Sequence, residues 1–173
     1  MTMTKIVTKT ASKPASKTAM AGKAKPAPND AIALLKADHE AVSQLFEEYE
    51  KTRSVPNKKA LVAEICTALS VHAQIEEEIF YPAVKAALKD KALVPEATVE
   101  HAGVKELIAQ IDGVEPDGEM YDAKVKVLSE YVKHHVKEEQ NEMFPKVKAS
   151  KLDAVELGAR LSARKVELLA RVA

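Results

Sequence analysis

The 173-residue chain contains 5 glycines, no tryptophan and 46% hydrophobic residues, with alanine, leucine, valine, lysine and glutamate abundant. Its length is typical of one domain with a sizeable core, and its composition favours an all-helical protein. No apolar run is long enough for a transmembrane helix or a secretory signal, so we expect no membrane partner. Cys66 is the only cysteine, which excludes an internal disulfide and suits the reducing cytoplasm, the expected localisation.

The formal net charge is zero, but the two signs are distributed unevenly. Residues 1–29 contain six lysines and no acidic residue, and all 26 acidic residues lie from Asp30 onward. This segment is rich in Ala, Lys, Ser, Thr and Pro, and it cannot bury enough apolar surface to offset its ordering entropy. We predict a disordered basic tail. A solubilising leader is the favoured interpretation. The alternatives are a transit peptide and an arm that makes weak contact with a polyanion such as nucleic acid.

Asp30 to Ala86 predicts two helices. Asp30 can cap the first, and RSVPN separates it from the second, which begins near Lys58. The first apolar stripe contains Ile32, Leu35, His39, Val42, Phe46 and Tyr49. The second contains Leu61, Ile65, Leu69, His72, Ile75, Glu76 and Ile79. Pro82 should kink or end the second helix.

Three more helices follow the break at KALVP, and Pro95 suits the first position of the third. The third stripe contains Ala97, His101, Val104, Ile108 and Ile111. After the turn DGVEPDG, the fourth contains Tyr121, Val125, Leu128, Val132, His135, Glu139 and Met143. Short connections predict an all-α, up-down-up-down four-helix bundle over residues 30–150. Within residues 151–173, Leu152 to Val172 is predicted to be an additional amphipathic helix.

The chain also repeats itself. VHAQIEEEIFYPAVKA, residues 71–86, aligns with HHVKEEQNEMFPKVKA, residues 134–149. The matched residues are His72 with His135, Glu76 with Glu139, Pro82 with Pro145 and, in the preceding helices, His39 with His101. Each half of the chain therefore provides one histidine from its first helix and a His-x-x-x-Glu pair from its second.

This pattern predicts a metal centre in the core. Positions four apart on a helix point only about 40° apart, so the histidine and glutamate of each pair can reach one point. A metal charge offsets the free-energy cost of burying carboxylates. Imidazole and carboxylate together suit iron or manganese, and zinc less well. Two glutamates from opposite helices can bridge two metals, each with two histidines, leaving room for an oxo or hydroxo bridge and one exogenous ligand.

At these residues the chain resembles the hemerythrin-like, or HHE cation-binding, family. The resemblance covers roughly Ala31 to Ala149 and rests on ADHEAV, HAQIEEEIFYP, EHAGVKEL and HHVKEEQNEMFP. It implies a four-helix bundle around a non-haem di-iron centre that binds or senses oxygen. In some members the centre serves iron repair or responses to peroxide and nitric oxide. The implied metal ligands are His39, His72, Glu76, His101, His135 and Glu139.

Two positions depart from the oxygen-carrying hemerythrins. Lys105 stands where those proteins have a second histidine on the third helix, and Glu139 stands in place of a terminal aspartate with different spacing. The second iron then has fewer ligands, which argues against simple oxygen carriage. The two His-x-x-x-Glu pairs look more like the di-iron iron-repair proteins, although the cysteine-bearing N-terminal domain of those proteins has no counterpart in this sequence.

Several side chains leave the choice of ligands open. His134 and Glu138 have the same spacing as His135 and Glu139, and only the repeat selects the latter pair. We expect a solvated face for Glu77, Glu78 and Glu138, and the alternative is that one of them is hydrogen-bonded to a ligand. We expect packing roles for Tyr49, Tyr81 and Tyr131, and the alternative is a tyrosine that binds a metal or is oxidised beside it.

The favoured function is a di-iron protein that binds or senses oxygen, peroxide or nitric oxide without turnover. The alternative is a di-iron enzyme or iron donor in oxidative or nitrosative stress. It ranks second because the sequence offers no general acid beyond the ligands. A metal-free helical interaction protein ranks third, since it leaves the core carboxylates unexplained.

Overall fold

The computed structural model describes residues 30–116 and 118–172, and all regular secondary structure in these two ranges is helical. The predicted all-α class is therefore confirmed. The elements are α1 (Ala31–Lys51), α2 (Val55–Ile75), π1 (Glu76–Phe80), α3 (Tyr81–Ala87), α4 (Leu93–Ile111), α5 (Glu119–Glu138), π2 (Glu139–Met143), α6 (Phe144–Lys148) and α7 (Ala154–Val172). The predicted disorder of residues 1–29 falls outside the described ranges and stays a prediction, as does the domain boundary at residue 150.

Two helical hairpins make up the four-helix bundle. In the first hairpin, residues 31–87, α1 packs against α2, and in the second, residues 93–148, α4 packs against α5. Contacts of α2 with α4 and of α1 with α5 join the hairpins. Helix α7 lies across α1, α2 and π1, close enough that a Cβ on Gly158 would be 2.7 Å from the backbone nitrogen of Ala31. The additional helix therefore covers the first hairpin.

The predicted start of the first helix is confirmed, and that of the second is shifted. Asp30 caps α1, because its Oδ1 accepts a hydrogen bond from the Ala33 N–H at 2.8 Å. Helix α2 starts at Val55 rather than near Lys58. Pro56 fits the first turn of a helix, where its missing N–H has no partner to lose.

The later helices also differ slightly from the predicted bounds. Helix α4 begins at Leu93, so Pro95 occupies its first turn but not its first position. Helix α7 begins at Ala154, two residues after the predicted start at Leu152. Asp153 explains this start, since its Oδ1 accepts hydrogen bonds from two N–H groups of the first turn.

Of the two predicted effects of Pro82, a kink or an end of the helix, the end does not occur. Helical structure continues through Pro82 to Ala87, and the irregular turn, π1, precedes the proline. A proline has no N–H and its ring displaces the carbonyl four residues earlier, so a widened turn accommodates it. In this turn the Tyr81 N–H donates to the carbonyl of Glu76, five residues back. The segment π2 has the same arrangement before Pro145.

A polar layer divides the apolar core into two clusters. The cluster beneath α7 includes Leu35, Phe80, Phe144 and Leu161, and the cluster at the opposite end includes Phe46, Ile65, Ile111 and Leu128. The predicted stripes supply most of the cluster at the opposite end. They supply a smaller part of the cluster beneath α7, to which π1, α3 and α6 add Phe80, Val84 and Phe144. In the described part of the chain, no helix has the length and apolar character that a membrane span requires.

Candidate metal centre

Four imidazole rings enter the polar layer, one from each long helix of the bundle, and Nε2 of each faces its centre. The Nε2 atoms of His39 and His72, the first histidine pair, lie 3.0 Å apart. Those of His101 and His135, the second histidine pair, lie 3.1 Å apart. All four residues are buried. Each hairpin therefore contributes one pair, as the sequence repeat predicts.

Glu76, the first residue of π1, lies between the two pairs. It is fully buried, and its Oε2 is 3.3 Å from Nε2 of His72 and 3.4 Å from Nε2 of His101. One carboxylate oxygen thus reaches a histidine of each pair, which is the position that the sequence predicts for a bridging ligand.

Glu139, the first residue of π2, occupies the equivalent place on the opposite side. It is 2% exposed, and its Oε2 is 3.3 Å from Nε2 of His39 and 3.7 Å from Nε2 of His135. The structure therefore brings together all six residues that the sequence selects, with the two carboxylates placed between the two histidine pairs.

The outward nitrogen, Nδ1, of two rings faces a carboxylate of the same hairpin. Asp38 Oδ2 is 3.5 Å from Nδ1 of His72, and Glu100 Oε2 is 2.7 Å from Nδ1 of His135. Both acids directly precede the histidine of the first helix in their hairpin. A carboxylate that accepts from Nδ1–H leaves Nε2 as the free donor atom and raises its basicity.

The other two rings have their outward partners on the opposite hairpin. Glu77 Oε1 is 3.0 Å from Nδ1 of His101, and the Gln140 amide is 3.2 Å from Nδ1 of His39. Both partners directly follow a glutamate of the centre. The favoured prediction for Glu77 was a solvated face, and the alternative was a hydrogen bond to a ligand. The structure matches the alternative, because the carboxylate turns towards a histidine of another helix.

Tyr81 is the residue of the centre that sequence reasoning missed. Its hydroxyl is buried, donates to Glu139 Oε1 at 3.0 Å and to Glu76 Oε2 at 3.4 Å, and lies 3.2 Å from Nε2 of His101 and 3.5 Å from Nε2 of His135. Packing was the favoured prediction for Tyr81, and a role beside the metals was the alternative. Its oxygen lies among the donor atoms, on the side of the second histidine pair.

The π turn explains why the prediction failed. In an α-helix, residues five apart point about 140° away from each other, so Tyr81 would face away from the direction of Glu76. In π1 the hydrogen bond spans five residues, which brings these two side chains to one face. A tyrosine directly before a proline and five residues after a core glutamate is the signal that could have revealed it.

The surface residues of the alternative register do not enter the centre. The side chains of His134 and Glu138 are 65% and 41% exposed, and they pair with each other at 3.2 Å. Lys105, which stands where a further histidine was considered, binds both oxygens of Glu77 at 2.6 Å. Its amine is therefore directed to the outward partner of His101 and not to the centre.

Burial lowers the pKa of His39 and of His101, and it acts differently on the two carboxyls of the centre. Burial, then His135, lowers the pKa of His101 to about 4. Burial, then the charge of Glu139, raises the pKa of Glu76 well above its usual value. Burial also opposes the charge of Glu139, but His39, 3.3 Å away, and the nearby imidazoles lower that pKa to about 2. Without a cation, the Glu76 carboxyl therefore keeps its proton to a higher pH than the Glu139 carboxyl does.

The polar atoms of the layer fit a metal ion. Within the described ranges, Glu76 Oε1 and Glu139 Oε2 are buried without a hydrogen-bond partner, an arrangement that costs free energy. The donor atoms form two groups, each with all atoms within 4.8 Å of one another. The groups are His39, His72, Glu76 and Glu139, and Glu76, His101 and His135. Neutral imidazole and carboxylate donors at this separation would be satisfied by bound cations.

The chain is similar to one protein family and to two individual proteins. The hemerythrin HHE cation-binding domain matches residues 30–147, a range that includes both histidine pairs and both glutamates. The crystal structure of a hemerythrin HHE cation-binding domain-containing protein, the Rv2633c homolog from Mycobacterium kansasii, has the same fold. It is 24% identical with a TM-score of 0.69, over 82% of this chain and 88% of that one.

A DNA nickase from Nostoc sp. (strain PCC 7120) is 26% identical over 115 residues, which are 66% of this chain. The same residues are 32% of the nickase, so this chain spans about a third of the length of that relative. The domain match covers most of the chain and all six converging residues. The chain therefore belongs to the hemerythrin HHE cation-binding family.

Proposed function

We propose that this protein holds two iron ions in the polar layer and there binds or senses dioxygen or a related small molecule such as peroxide or nitric oxide. Membership of the family supplies cation binding. The observation that supports two metal ions concerns the two buried carboxylates. Each of them approaches one histidine of the first pair and one histidine of the second pair. Four histidines and two shared carboxylates divide evenly between two ions.

The donor set favours iron over zinc, because mixed imidazole and carboxylate ligation with shared carboxylates suits ions of higher coordination number. The first ion would be held by the first histidine pair, the second by the second pair, and both by Glu76 and Glu139. The Tyr81 hydroxyl offers the second ion a further oxygen donor. When bound, an iron pair supplies redox-active positions at which a small molecule can bind.

A small cavity beside the rings supports a diatomic ligand. It has a volume of about 20 Å³ and adjoins all four histidines, which is roughly the space of one water molecule. Its other lining residues include Val42, Leu69, Val104, Val132 and Val136. Such a surface offers few hydrogen-bond partners, so it favours a small uncharged molecule over a larger or charged one.

Turnover of peroxide is a second candidate, and Tyr81 is the observation that favours it. The sequence offers no general acid besides the ligands, but the Tyr81 hydroxyl donates into the centre at 3.0 Å from Glu139. Burial and both glutamates raise the pKa of Tyr81 well above its usual value. The phenol therefore retains a proton that it can present to a molecule bound between the pairs.

Metal content and optical spectra test the proposal. Protein loaded anaerobically with iron should contain close to two irons per chain, and its absorption should change reversibly with dioxygen or nitric oxide. His72→Ala should lower the iron content, whereas His134→Ala, an exposed histidine on the same bundle, should not. Iron-free protein after loading would overturn the proposal. Steady consumption of added peroxide would favour the enzyme over the sensor.

A further inference from the structure

A second group of metal donors lies on the surface beside the centre. We define the outer cluster as Glu100, His134 and Glu138, whose donor atoms all lie within 4.8 Å of one another. His134 Nε2 is 3.4 Å from Glu100 Oε1 and 3.2 Å from Glu138 Oε1. The His134 side chain is 65% exposed, so cations in solvent reach this cluster directly.

Glu100 connects the outer cluster with the centre. Its Oε1 faces His134, while its Oε2 accepts from Nδ1 of His135 at 2.7 Å. A cleft of about 150 Å³ between α4, α5 and π2 extends from the outer cluster to His135 and Glu139. Five glutamates line this acidic cleft: Glu96, Glu100, Glu138, Glu139 and Glu142. No lysine or arginine from the described ranges is among its lining residues.

The inner end of the acidic cleft contains an unsatisfied acceptor. Glu139 is 2% exposed, and in the described part of the chain its Oε2 has no hydrogen-bond partner. The carboxylates become more buried inward, from Glu138 at 41% side-chain exposure through Glu100 at 24% to Glu139. Like charges this close repel one another unless a cation lies among them.

The opposite side of α5 has the reverse charge. A cleft of about 280 Å³ reaches His39 there, and its charged lining residues are Lys133 and Lys137. Positive side chains at its mouth oppose the approach of a cation, whereas the acidic cleft attracts one. The two approaches to the centre therefore differ in the sign of the charge that they admit.

We propose that the outer cluster is a transient site for a divalent cation and that the acidic cleft is the route by which metal ions reach the centre. The proposal rests on the proposed function, since a route requires a centre to fill. Glu100 is the shared step. A cation held by its Oε1 together with His134 and Glu138 lies one carboxylate away from the second histidine pair. It passes inward along the carboxylates of the acidic cleft, which Leu93, Ala97 and Met143 also line.

Cobalt(II) loading of the full-length, metal-free protein tests this route. Bound cobalt(II) is followed by its visible absorption in a stopped-flow instrument at low ionic strength. Glu138→Gln and His134→Ala should each slow loading about tenfold, because the first removes a negative charge from the acidic cleft and the second removes a donor from the outer cluster. The final cobalt content should equal that of the wild type. Added salt should slow the wild type more than Glu138→Gln, which has one charge fewer in the cleft.

Glu130→Gln is the matched control, since it removes the same charge from an exposed position of α5 outside the acidic cleft. It should load at the wild-type rate. Equal rates for the wild type and both cluster variants would overturn the route. A lower final content in those variants would also overturn it, by placing the residues in the centre itself. Failure of the wild type to bind cobalt would instead overturn the proposed function, and the route with it.

Discussion

The two hairpins of the bundle hold their histidines by one rule. In each, the acid before the first-helix histidine binds Nδ1 of the second-helix histidine: Asp38 with His72, and Glu100 with His135. In each, the residue after the core glutamate crosses to the other hairpin: Glu77 to His101, and Gln140 to His39. The sequence repeat is therefore also a repeat of the outward hydrogen bonds. The residues that make these bonds are aligned in the repeat, but their spacing along the chain does not predict the contacts.

The hairpins differ in what they place at equivalent positions. Glu77 corresponds to Gln140, so an imidazole of the second pair faces a carboxylate where one of the first pair faces an amide. Tyr81 corresponds to Phe144, which has no hydroxyl and stacks on His39 with a centroid distance of 6.0 Å. The second histidine pair thus has one more carboxylate and one more oxygen donor nearby.

The covering helix adds a further difference. Lys165 of α7 binds Asp38, so the acid behind His72 is paired with a cation. The equivalent acid, Glu100, instead faces His134 and the acidic cleft. Negative charge behind an imidazole stabilises a metal ion bound at its Nε2. The repeat therefore supplies two similar groups of donors, and we expect the second group to bind its ion more tightly than the first.

Removing a shared carboxylate should have the largest effect, because it affects both sites. Glu139→Ala should reduce the iron content at equilibrium from about two per chain to one or none, and Glu76→Ala should do the same. Each removes an oxygen that approaches both histidine pairs. Metal analysis after dialysis measures this. Glu138→Ala is the control and should leave the equilibrium content unchanged, since its side chain lies on the surface. Loss of iron in the control alone would reverse the assigned register.

The bundle and its six converging residues could be predicted because they depend on periodicity. A histidine or glutamate that falls in an apolar stripe must point into the core, and the repeat then pairs the stripes. The choice of His135 over His134 rests on the same reasoning. The spacing of apolar residues within one helix identifies the face that it buries, so no knowledge of the neighbouring helices is required.

The outward partners and Tyr81 could not be predicted, because they depend on contacts between helices and on a change of helical register. Glu77 and Glu100 lie beside the apolar stripe, where a glutamate is most often solvated. Contacts between α4 and the first hairpin bring Glu77 to His101, and contacts between α4 and α5 bring Glu100 to His135. Tyr81 reaches the centre through π1, whereas the 3.6-residue period places it elsewhere.

Exchanging the outward partners should change the difference between the sites. Gln140→Glu should strengthen binding at the first histidine pair, and Glu77→Gln should weaken it at the second, each about tenfold. Isothermal titration calorimetry with stepwise addition of manganese(II) or cobalt(II) resolves the two affinities. Glu78→Gln is the matched control, because Glu78 binds Arg164 on the surface and no residue of the centre. Unchanged affinities in both test variants would show that these hydrogen bonds do not tune the metals.

The tyrosine and phenylalanine at equivalent positions allow a spectroscopic test. If the Tyr81 oxygen coordinates the second iron, the oxidised protein should have a visible phenolate-to-iron(III) band. Tyr81→Phe should remove this band and lower the affinity for iron less than tenfold. Phe144→Tyr should add a hydroxyl near His39 and produce a second band. Tyr131→Phe, at an exposed tyrosine of α5, serves as the control. A band that persists in Tyr81→Phe would leave the hydroxyl as a proton donor only.

The metal-free protein should reveal the smallest difference, that between the two glutamates. The pKa of Glu76 is raised in the folded protein, so the folded state holds a proton that the unfolded state releases above its usual pKa of 4.5. Stability therefore falls as the pH rises above 4.5, and Glu76→Gln, which mimics the protonated form, should avoid this loss. The pKa of Glu139 is lowered to about 2, so its ionised form stabilises the fold above pH 4.5 and Glu139→Gln should lose that contribution.

At pH 8, and with chelator present, we therefore expect Glu76→Gln to be more stable than the wild type and Glu139→Gln to be less stable, each by about 1 kcal/mol. For a chain of this size that is a shift in Tm of about 3 °C. Circular dichroism melts at pH 5 and pH 8 measure it, and the advantage of Glu76→Gln should be smaller at pH 5. Shifts in Tm of the same sign in both variants would mean that the two carboxyls share the proton equally. The difference between the hairpins would then be confined to the outward partners of the histidines and would not include the two glutamates of the centre.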